Sequence, residues 1–590
     1  MLIMTVIYMI APIILCLFNI MMVRGKSHWY LSNLVLLLIF AVLTYLRVYF
    51  TLPSRNLLSI TISNGIVGMI FEGLMLFLWI KLFKKDEPND DAWIIDDTKM
   101  SRQKSSSVVD DSSKRIFMGI VAFTIVLLVG IAGEIHSVVA VKPSWNSISK
   151  KYSTSREAPT FKRNETPVAL APSTVLNRVH KSMSDVPNSQ YYNVPNMVQA
   201  QYFKGKPVYI IPLSYDGFFA MLKAKEIPGY FIVDATNQNA EPKFVNKPYQ
   251  YAISSYFGHD VSRQIYRNNP TWLTMSNPQL EIDNEGTPYW VQTVFKSETF
   301  SHRANYQKLH VVVMNAQSGQ QNTYSLSNLP KFVDEGITSD AAASMNIIFG
   351  KFQHGFWNQF FGKTGIIKPT NNGPENGVTS IFNRDGSISY FTDFTNPNSK
   401  ADSALGYSMI NARTGKLTYY SASGIMDSSG ATENAEQNYR AQKWDATMPV
   451  LYNINNRPTW VMTILDSSDA IRGYYYLDAQ DQSIYGSGSN PTSALDDFRQ
   501  ALVNNGATAK NTPGAKEKTI KGTVDRSAIV SNKNKVMFTL QGSNTVYTVS
   551  TNDYDKANLI RPGDNLSFKA SVVNGQSIGN IESFKNDSLK

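Results

Sequence analysis

The sequence predicts a four-span α-helical membrane bundle at the N-terminus, then a large water-facing α+β region, then a small all-β barrel. Three observations predict this fold class. Every long apolar segment of the 590-residue chain lies before residue 137. A motif of two strands and a turn recurs four times between residues 200 and 490, and five short strand patterns follow one another between residues 519 and 584.

The four apolar segments cover residues 2–22, 31–50, 57–80 and 116–135. Each supplies the roughly 20 apolar residues that a hydrocarbon core about 30 Å thick requires. We therefore assign residues 1–136 to a four-helix transmembrane region. A cleaved signal peptide is the alternative for the first segment, but it needs a basic region in front, and residues 1–22 contain neither lysine nor arginine.

The placement of basic residues predicts the orientation. Lysine or arginine follows the first and third segments and precedes the fourth, whereas the loop after the second segment carries only Arg55. The positive-inside bias then places residues 81–115 in the cytoplasm, as a polar and charged loop without a domain. The protein is thus predicted to be a multi-pass cell-membrane protein with its N-terminus and its large C-terminal region outside.

Two ionisable side chains inside the predicted spans form a candidate intramembrane polar site. Glu72 lies well inside the third span beside Gly65, Gly68 and Gly73, and Arg47 lies near the outer end of the second. A carboxyl group in a bilayer is costly unless it is protonated, paired or hydrated, so it can mark conduction or signalling. The alternatives are a polar packing contact for Glu72 and a side chain that reaches the interface for Arg47.

Composition says less about the rest of the chain. Residues 137–196 are rich in Ser, Pro, Asn and Lys, which predicts a stalk that becomes structured towards its end. Residues 142–590 carry 44 basic and 36 acidic side chains. This excess allows mild attraction to anionic lipid or cell-wall polymer, although a plain solvated surface is the simpler interpretation. Cys16 is the only cysteine, so the exterior must be stabilised by packed cores rather than disulfides.

The recurring motif is a strand, a connection and a second strand that closes on Asp or Asn followed by Ala. Its four copies end at Asp234-Ala235, Asn315-Ala316, Asn411-Ala412 and Asp478-Ala479, and Gly319 and Gly415 complete two of the turns. Asp or Asn can accept a hydrogen bond from the backbone two residues on, and glycine supplies a positive φ. These residues are therefore predicted to be structural repeat turns. Helix-like stretches at 253–266, 340–352, 432–444 and 493–503 make each repeat an α+β unit.

A helix, a strand containing Tyr-Trp-Val and an apolar strand ending in Asn-Ala-x-x-Gly together resemble the PepSY domain family. Residues 315–319 and 411–415 match the closing turn of that family best, while the turns at Asp234 and Asp478 lack its glycine. The chain is also similar to uncharacterised multi-pass membrane proteins of Gram-positive bacteria and their large phages. The resemblance implies four PepSY-like repeats over residues 197–505, acting as an extracytoplasmic binding or regulatory module, and it implies no catalytic residue.

Residues 516–590 are predicted to form a small OB-like barrel. The strand patterns lie at 519–524, 536–540, 546–550, 565–573 and 577–584. OB barrels bind oligonucleotides or oligosaccharides, but the presumed binding strands hold few aromatic residues beyond Phe538 and Tyr547. Nucleic acid is not expected as a partner outside the membrane, and a structural cap or protein-binding module is the simpler interpretation.

No catalytic constellation, cofactor motif or metal signature is present in the sequence, so no enzyme activity, cofactor or metal is predicted. Two hypotheses follow. The first is a non-enzymatic membrane-anchored envelope protein that has membrane lipid as one partner and whose PepSY-like modules bind or regulate an extracytoplasmic protein, such as a protease, or a cell-wall polymer. The second is a small transport or transmembrane signalling protein that acts through Glu72 and uses its exterior as a sensor.

Overall fold

The computed structural model of this protein describes residues 1–22, 27–83, 108–153, 169–269, 272–296, 303–397, 402–454, 457–504, 516–530, 534–543, 545–573 and 576–589. Most of the cytoplasmic loop predicted at 81–115 lies outside the described residues. Apolar helices come first in the chain and a large β-rich region follows, as the sequence predicts.

Five helices form the N-terminal part: α1 (Leu2–Tyr8), α2 (Ile10–Met22), α3 (Ser27–Thr51), α4 (Leu57–Phe83) and α5 (Val108–Val139). The last three are each long and apolar enough to cross a membrane. The predicted first span is instead broken into α1 and α2. The helix axis bends by 61° at the break, and the two helices would make a fourth span only as a pair. Pro12 explains the break, because a proline cannot donate to the carbonyl four residues earlier, here that of Tyr8.

Helices α4 and α5 pack closely because glycines on one helix leave room for larger residues of the other. A Cβ atom added at Gly65 would lie 3.0 Å from the backbone of Leu127, and one at Gly68 would lie 2.6 Å from the ring of Phe123. Gly73 differs, since an added Cβ there would meet no described atom within 4 Å. Two of the three predicted glycines therefore permit close helix contact, as in small-residue packing motifs.

After α6 (Lys142–Ser147) and β1 (Lys150–Ser153), the chain forms four repeated units that we number 1 to 4. Unit 1 (residues 172–249) contains α7 (Pro172–Lys181), β2 (Tyr192–Asn193), β3 (Gln199–Phe203), β4 (Lys206–Pro212), β5 (Ser214–Tyr215), α8 (Phe218–Ala224), β6 (Ile227–Asp234) and β7 (Lys243–Tyr249). Unit 2 (261–325) contains α9 (Val261–Asn268), β8 (Leu273–Thr274), β9 (Gln279–Ile282), β10 (Pro288–Phe295), β11 (His310–Asn315) and β12 (Gln321–Ser325).

Units 3 and 4 follow the same plan. Unit 3 (339–426) contains α10 (Ser339–Lys351), β13 (Lys368–Pro369), β14 (Thr379–Phe382), β15 (Ile388–Thr395), β16 (Ser403–Asn411) and β17 (Leu417–Met426). Unit 4 (428–488) contains α11 (Ser428–Asn438), β18 (Asp445–Ile454), β19 (Arg457–Leu465), β20 (Ile471–Asp478) and β21 (Tyr485–Gly488), and α12 (Pro491–Asn504) comes next.

Each unit is a helix followed by a four-stranded antiparallel meander. The meanders are β3-β4-β6-β7, β9-β10-β11-β12, β14-β15-β16-β17 and β18-β19-β20-β21, with β8 and β13 as additional partners of β10 and β15. The second strand of each meander carries one large, fully buried aromatic side chain at the equivalent position: Tyr209, Trp290, Tyr390 and Trp460. Such residues favour strands because they pack well on a pleated surface, and here they hold the four units in one continuous core.

The predicted stalk at 137–196 differs from the structure in its described residues. Strand β1 pairs in parallel with β17, with Lys150 opposite Leu417. Helix α7 buries Val175 and Val179 completely in the core of the units. The polar composition misleads here because two apolar residues at i and i+4 are enough to dock a ten-residue helix. Residues 154–168 of the predicted stalk lie outside the described residues.

The C-terminal segment forms a closed five-stranded barrel from β22 (Lys516–Val530), β23 (Lys535–Leu540), β24 (Val546–Ser550), β25 (Asn565–Val573) and β26 (Gln576–Asn586), in the order β22-β23-β24-β26-β25. Strand β22 is longer than the predicted 519–524 because it pairs with β25 before a register shift near Val524 and with β23 after it. Phe538 and Tyr547 contact each other and Phe568 in the buried core.

Candidate functional site

The repeat turns predicted from the sequence occupy equivalent places in the four units, at the end of the third meander strand; we call them the closing turns. In each one the first side chain accepts backbone N–H groups of the turn itself: Asp234 Oδ1 from Thr236 (2.9 Å), Asn315 Oδ1 from Gln317 (2.9 Å), Asn411 Oδ1 from Thr414 (2.9 Å) and Asp478 Oδ1 from Gln480 (2.8 Å). Gly319 and Gly415 have φ values of +74° and +69°. Asp478 is fully buried and also accepts from Arg457 Nε at 2.5 Å.

The alanine of each closing turn has a role that the sequence analysis missed. All four alanines are buried, and each carbonyl accepts a backbone N–H from a residue on the segment that leads into the helix of the same unit. We call these residues the pre-helix residues: Leu170 (2.8 Å to Ala235), Tyr251 (3.1 Å to Ala316), Ile337 (2.7 Å to Ala412) and Met426 (2.7 Å to Ala479). Each unit is thereby closed on itself. The recurrence of alanine at one motif position was the available signal.

Side chains of the closing turns and of the buried aromatics reinforce this closure. Trp290 Nε1 donates to the carbonyl of Tyr251 at 2.7 Å, and Trp460 Nε1 donates to that of Met426 at 3.1 Å. Arg413 donates to the carbonyls of Leu329, Pro330 and Val333 on the segment before α10. The turn residue Arg413 and the aromatic residues Trp290 and Trp460 therefore bind the segments that precede the helices to the sheets of their units.

A cluster of carboxyl groups lies where units 1, 2 and 3 meet, and the sequence analysis missed it too. Glu281 of β9 accepts the backbone N–H groups of Asp334 (2.8 Å) and Glu335 (3.2 Å). Glu335 in turn accepts from Gln199 Nε2 of β3 at 2.6 Å. Glu375 accepts from Ser380 Oγ at 2.6 Å. We call Glu281, Asp334, Glu335 and Glu375 the junction carboxyls.

Burial determines the protonation of these groups. It raises the pKa of Glu375 to about 7, and its Oε1 is buried without a hydrogen-bond partner among the described residues. Burial raises the pKa of Glu335 well above its ordinary value, and repulsion from Glu375 and Glu281 adds to the effect. Burial and repulsion from Asp334 raise the pKa of Glu281 in the same way. Burial therefore favours the neutral forms of Glu281, Glu335 and Glu375, which can donate as well as accept hydrogen bonds.

The two intramembrane candidates do not meet. Glu72 is buried and accepts from Asn19 Nδ2 at 3.0 Å, and it packs beside Gly119 of α5. Arg47 donates to Ser63 Oγ at 2.7 Å and stands 5.4 Å from the ring centroid of Tyr8. Ser63 is nine residues before Glu72 on α4, which is about 13 Å along a helix. The arrangement around Glu72 is thus a polar contact between helices in a closely packed region.

The described residues contain no group of three or more His, Cys, Asp or Glu side chains placed to hold a metal ion. No protein-family model matches the chain, and no curated protein matches it. Among solved structures, the chain is similar to the Bacillus megaterium YpeB C-terminal domain, with 12% identity and a TM-score of 0.10 over 42% of this chain and 96% of that one. It is also similar to the polysaccharide lyase Uly1, with 9% identity and a TM-score of 0.14 over 66% and 80%. These TM-scores are too low to carry an argument about function.

Proposed function

We propose that this chain is a non-enzymatic, membrane-anchored envelope protein. In this proposal units 1–4 are PepSY-like modules that bind or regulate an extracytoplasmic partner, either a protein such as a protease or a cell-wall polymer. The combination of a helix with a four-stranded meander, repeated four times and closed by the Asp/Asn-Ala turn, supports it. The barrel is OB-like in this proposal, which its five strands and strand order support. Because Phe538 and Tyr547 lie in the barrel core, a structural or protein-binding role is favoured over nucleic-acid binding.

One observation carries the proposal: the β-rich region is tied to the ends of the apolar helices by hydrogen bonds. Tyr266 Oη of α9 donates to the carbonyl of Pro53 at 2.9 Å, in the loop between α3 and α4. Arg303 donates to the carbonyls of Ser137 (3.1 Å) and Val138 (2.9 Å) at the end of α5. Units that share one core and are fixed at two helix ends present a rigid surface at a defined height over the membrane. That is what a membrane-bound docking module requires.

In-cell cross-linking tests this function. The tagged full chain is cross-linked in intact cells and purified beside a control of residues 1–141, which keeps the apolar helices and lacks the units. The expected result is a protein or wall polymer that cross-links to the full chain, is absent from the control, and binds the purified full chain saturably when added back. Recovery of the same species with both chains, or turnover of a bound substrate by the purified chain, would overturn the proposal.

The orientation is part of the proposal. The N-terminus and residues 142–590 are placed outside because the loops that carry most of the flanking lysine and arginine lie at the opposite ends of the helices. Met1, Tyr8, Leu52 and Tyr266 belong to one hydrophobic cluster, which supports a common side for the N-terminus, the α3–α4 loop and the units. Reporter fusions after Lys85 and after Lys150 should report cytoplasm and exterior respectively; the reverse pattern would contradict the orientation.

A second function, transport or signalling through Glu72, is favoured by one observation. Glu72 Oε2 is buried and has no hydrogen-bond partner among the described residues. If that oxygen carries a proton across the bilayer, proteoliposomes of the full chain will dissipate a pH gradient and Glu72→Gln proteoliposomes will not. Equal leakage from both would reject this function and leave Glu72 as a packing contact to Asn19.

A further inference from the structure

Two clusters of exposed aromatic side chains lie on the surface of the units. The first, which we call the aromatic loop (residues 352–368), follows α10 and exposes 58% of Trp357, 56% of Phe360 and 82% of Phe361. The second, which we call the α8 cluster, exposes 77% of Phe219 and 59% of Phe257, and its members are Phe218, Phe219, Leu222, Tyr256 and Phe257. Contiguous exposed apolar surface of this kind marks an interaction site.

The first residue of the aromatic loop lies beside the end of α5 in space. Arg303, which binds the carbonyls of Ser137 and Val138, stands 5.6 Å from the ring centroid of Phe352, the first residue of the loop. Phe352 stacks on Phe356 at 6.4 Å, and Phe356 contacts Trp357 at 5.3 Å. Helix α10 therefore runs from the junction of the units towards the apolar helices, and the loop projects from its membrane-side end.

The α8 cluster lies close to the end of α3 in the same manner. Arg263, in the first turn of α9, donates to the carbonyl of Tyr49 at 3.2 Å and stands 4.5 Å from that ring. Phe257 lies in the short helical turn just before α9 and contacts Phe218 of α8 at 5.8 Å. Both aromatic clusters are thus held beside the ends of candidate membrane helices, one near α5 and one near α3.

The aromatic loop is also positively charged, which suits an anionic partner. A cavity of about 410 Å³ beside it is lined by Lys351, Lys363 and Lys368 and by the apolar side chains of Ile347, Phe360 and Ile367. Residues 341–374 contain no aspartate or glutamate. Aromatic rings at the level of the headgroups, with lysines beside them, are the composition that proteins present to the surface of an anionic bilayer.

We propose that the aromatic loop and the α8 cluster insert into the headgroup region of the membrane, and that the lysine-lined cavity holds the phosphate of an anionic phospholipid. The proposal rests on the proposed function in one respect, namely that the units stand over the membrane that α3–α5 cross. It adds a second attachment, in which folded units, and not only helices, contact lipid. The orientation of the units relative to the bilayer is then fixed at three places: the helix ends, the aromatic loop and the α8 cluster.

Site-directed spin labelling of the full chain tests the insertion. In a Cys16→Ser background, single cysteines replace Phe361, Phe219 and, as a control, Thr414, which is exposed at the closing turn near the other end of α10, about 20 Å away along the helix. In proteoliposomes, labels at 361 and 219 should be more accessible to oxygen than to a water-soluble nickel chelate, and the label at 414 should show the reverse. Labels at 361 and 219 that behave like the label at 414 would overturn the proposal. So would a spectrum broadened by the same label on a second copy of the chain, as in a dimer.

A second arm tests the headgroup. The label at 361 is followed as phosphatidylglycerol replaces phosphatidylcholine in the vesicles, and Lys363→Gln should raise the half-maximal phosphatidylglycerol content roughly fivefold, as expected for one lost surface lysine. Lys308→Gln, which alters an exposed lysine outside the cavity, is the control and should change nothing. The same shift produced by inorganic phosphate in pure phosphatidylcholine would mean a soluble anion site and overturn the lipid assignment. Water-exposed labels together with a recovered cross-linked partner would reject this inference alone.

Discussion

At the scale of single residues, the same closing turn is held by different neighbours in different units. Gly319 packs on the pre-helix residue Tyr251, so that an added Cβ would lie 2.4 Å from its ring. Gly415 packs on the equivalent Ile337, with more room at 3.3 Å. The positive φ of both residues explains why glycine is needed. The tighter contact makes Gly319 the more constrained of the two.

We expect Gly319→Ala to destabilise the protein more than Gly415→Ala. Backbone strain should lower the free energy of unfolding of both variants by about 1–2 kcal/mol. Gly319→Ala should lower it by about 1 kcal/mol more, because Tyr251 must move. Gly386→Ala measures the strain alone, since Gly386 has φ +81° and no described atom within 4 Å of an added Cβ. Thermal unfolding of the intact chain in detergent gives the order, and a Gly319→Ala variant no less stable than Gly386→Ala would contradict it.

The junction carboxyls predict a pH dependence of stability. The pKa of Glu375 in the folded protein, about 7, is above its ordinary value of 4.5, so the folded state binds the proton more tightly than the unfolded state. Its contribution is therefore complete below pH 4.5 and is lost as the pH rises through 7, by about 3 kcal/mol. We expect the unfolding free energy of the intact chain to fall from pH 5 to pH 8.

Glu375→Gln provides the matched comparison, because an amide keeps the acceptor for Ser380 and cannot ionise. Denaturant unfolding at pH 5 and pH 8 should show a smaller fall in the variant than in the parent. The same fall in both would mean that Glu375 does not titrate in this range and that other groups determine the dependence.

The closing turns could be predicted from sequence because their chemistry is local: an acceptor side chain and a glycine lie within five residues. The junction carboxyls could not, because Glu281, Glu335 and Glu375 belong to different parts of the chain and become neighbours only when three units pack together. In the sequence each of them is indistinguishable from a solvated surface acid. Only the packing of units 1, 2 and 3 around the segment before α10 reveals them.

At the scale of elements, α4 and α5 are a pair defined by their small residues. The sequence predicts both helices and points to Gly65, Gly68 and Gly73, but it does not say which helix each glycine faces. Gly65 and Gly68 face α5, whereas Gly73 faces open space among the described residues. The break between α1 and α2 had a signal in the sequence, Pro12, which the prediction of one continuous first span did not use.

We therefore expect Gly65→Ala to weaken the α4–α5 contact and Gly73→Ala to have little effect. The Cβ at position 65 would press on the backbone of Leu127, which cannot move aside as a side chain can. The fluorescence-detected thermal transition of the full chain in detergent should fall for Gly65→Ala and stay near the parent value for Gly73→Ala. Equal transitions in the two variants would show that the helices do not pack this closely.

At the scale of the whole molecule, the part that composition assigns to a stalk contributes to the core. Strand β1 extends the sheet of unit 3, and α7 is the helix of unit 1. Sequence analysis counts four repeats because each unit carries the same turn. It misses these contributions because a four-residue edge strand and a ten-residue helix are too short for their patterns to stand out from the polar residues around them.

We expect a fragment of residues 142–590 to fold and a fragment of residues 197–590 to be much less stable. The shorter fragment loses β1 and α7 together with the buried side chains of Val175 and Val179. Burial of two valines alone contributes about 3–6 kcal/mol. Chemical unfolding followed by circular dichroism compares the two, and equal midpoints would restore the stalk interpretation.

The pairing of β1 with β17 also has a mechanical consequence. The chain that leaves the membrane at the end of α5 joins the sheet of the third unit, not of the first, and it does so parallel to its neighbour. Force between α5 and the units is therefore transmitted by the hydrogen bonds of β1 to β17, in addition to the contacts of Arg303 with the end of α5. Tension from a bound partner would therefore enter the array at units 2 and 3, through the contacts of Tyr266 and Arg303 and through β1.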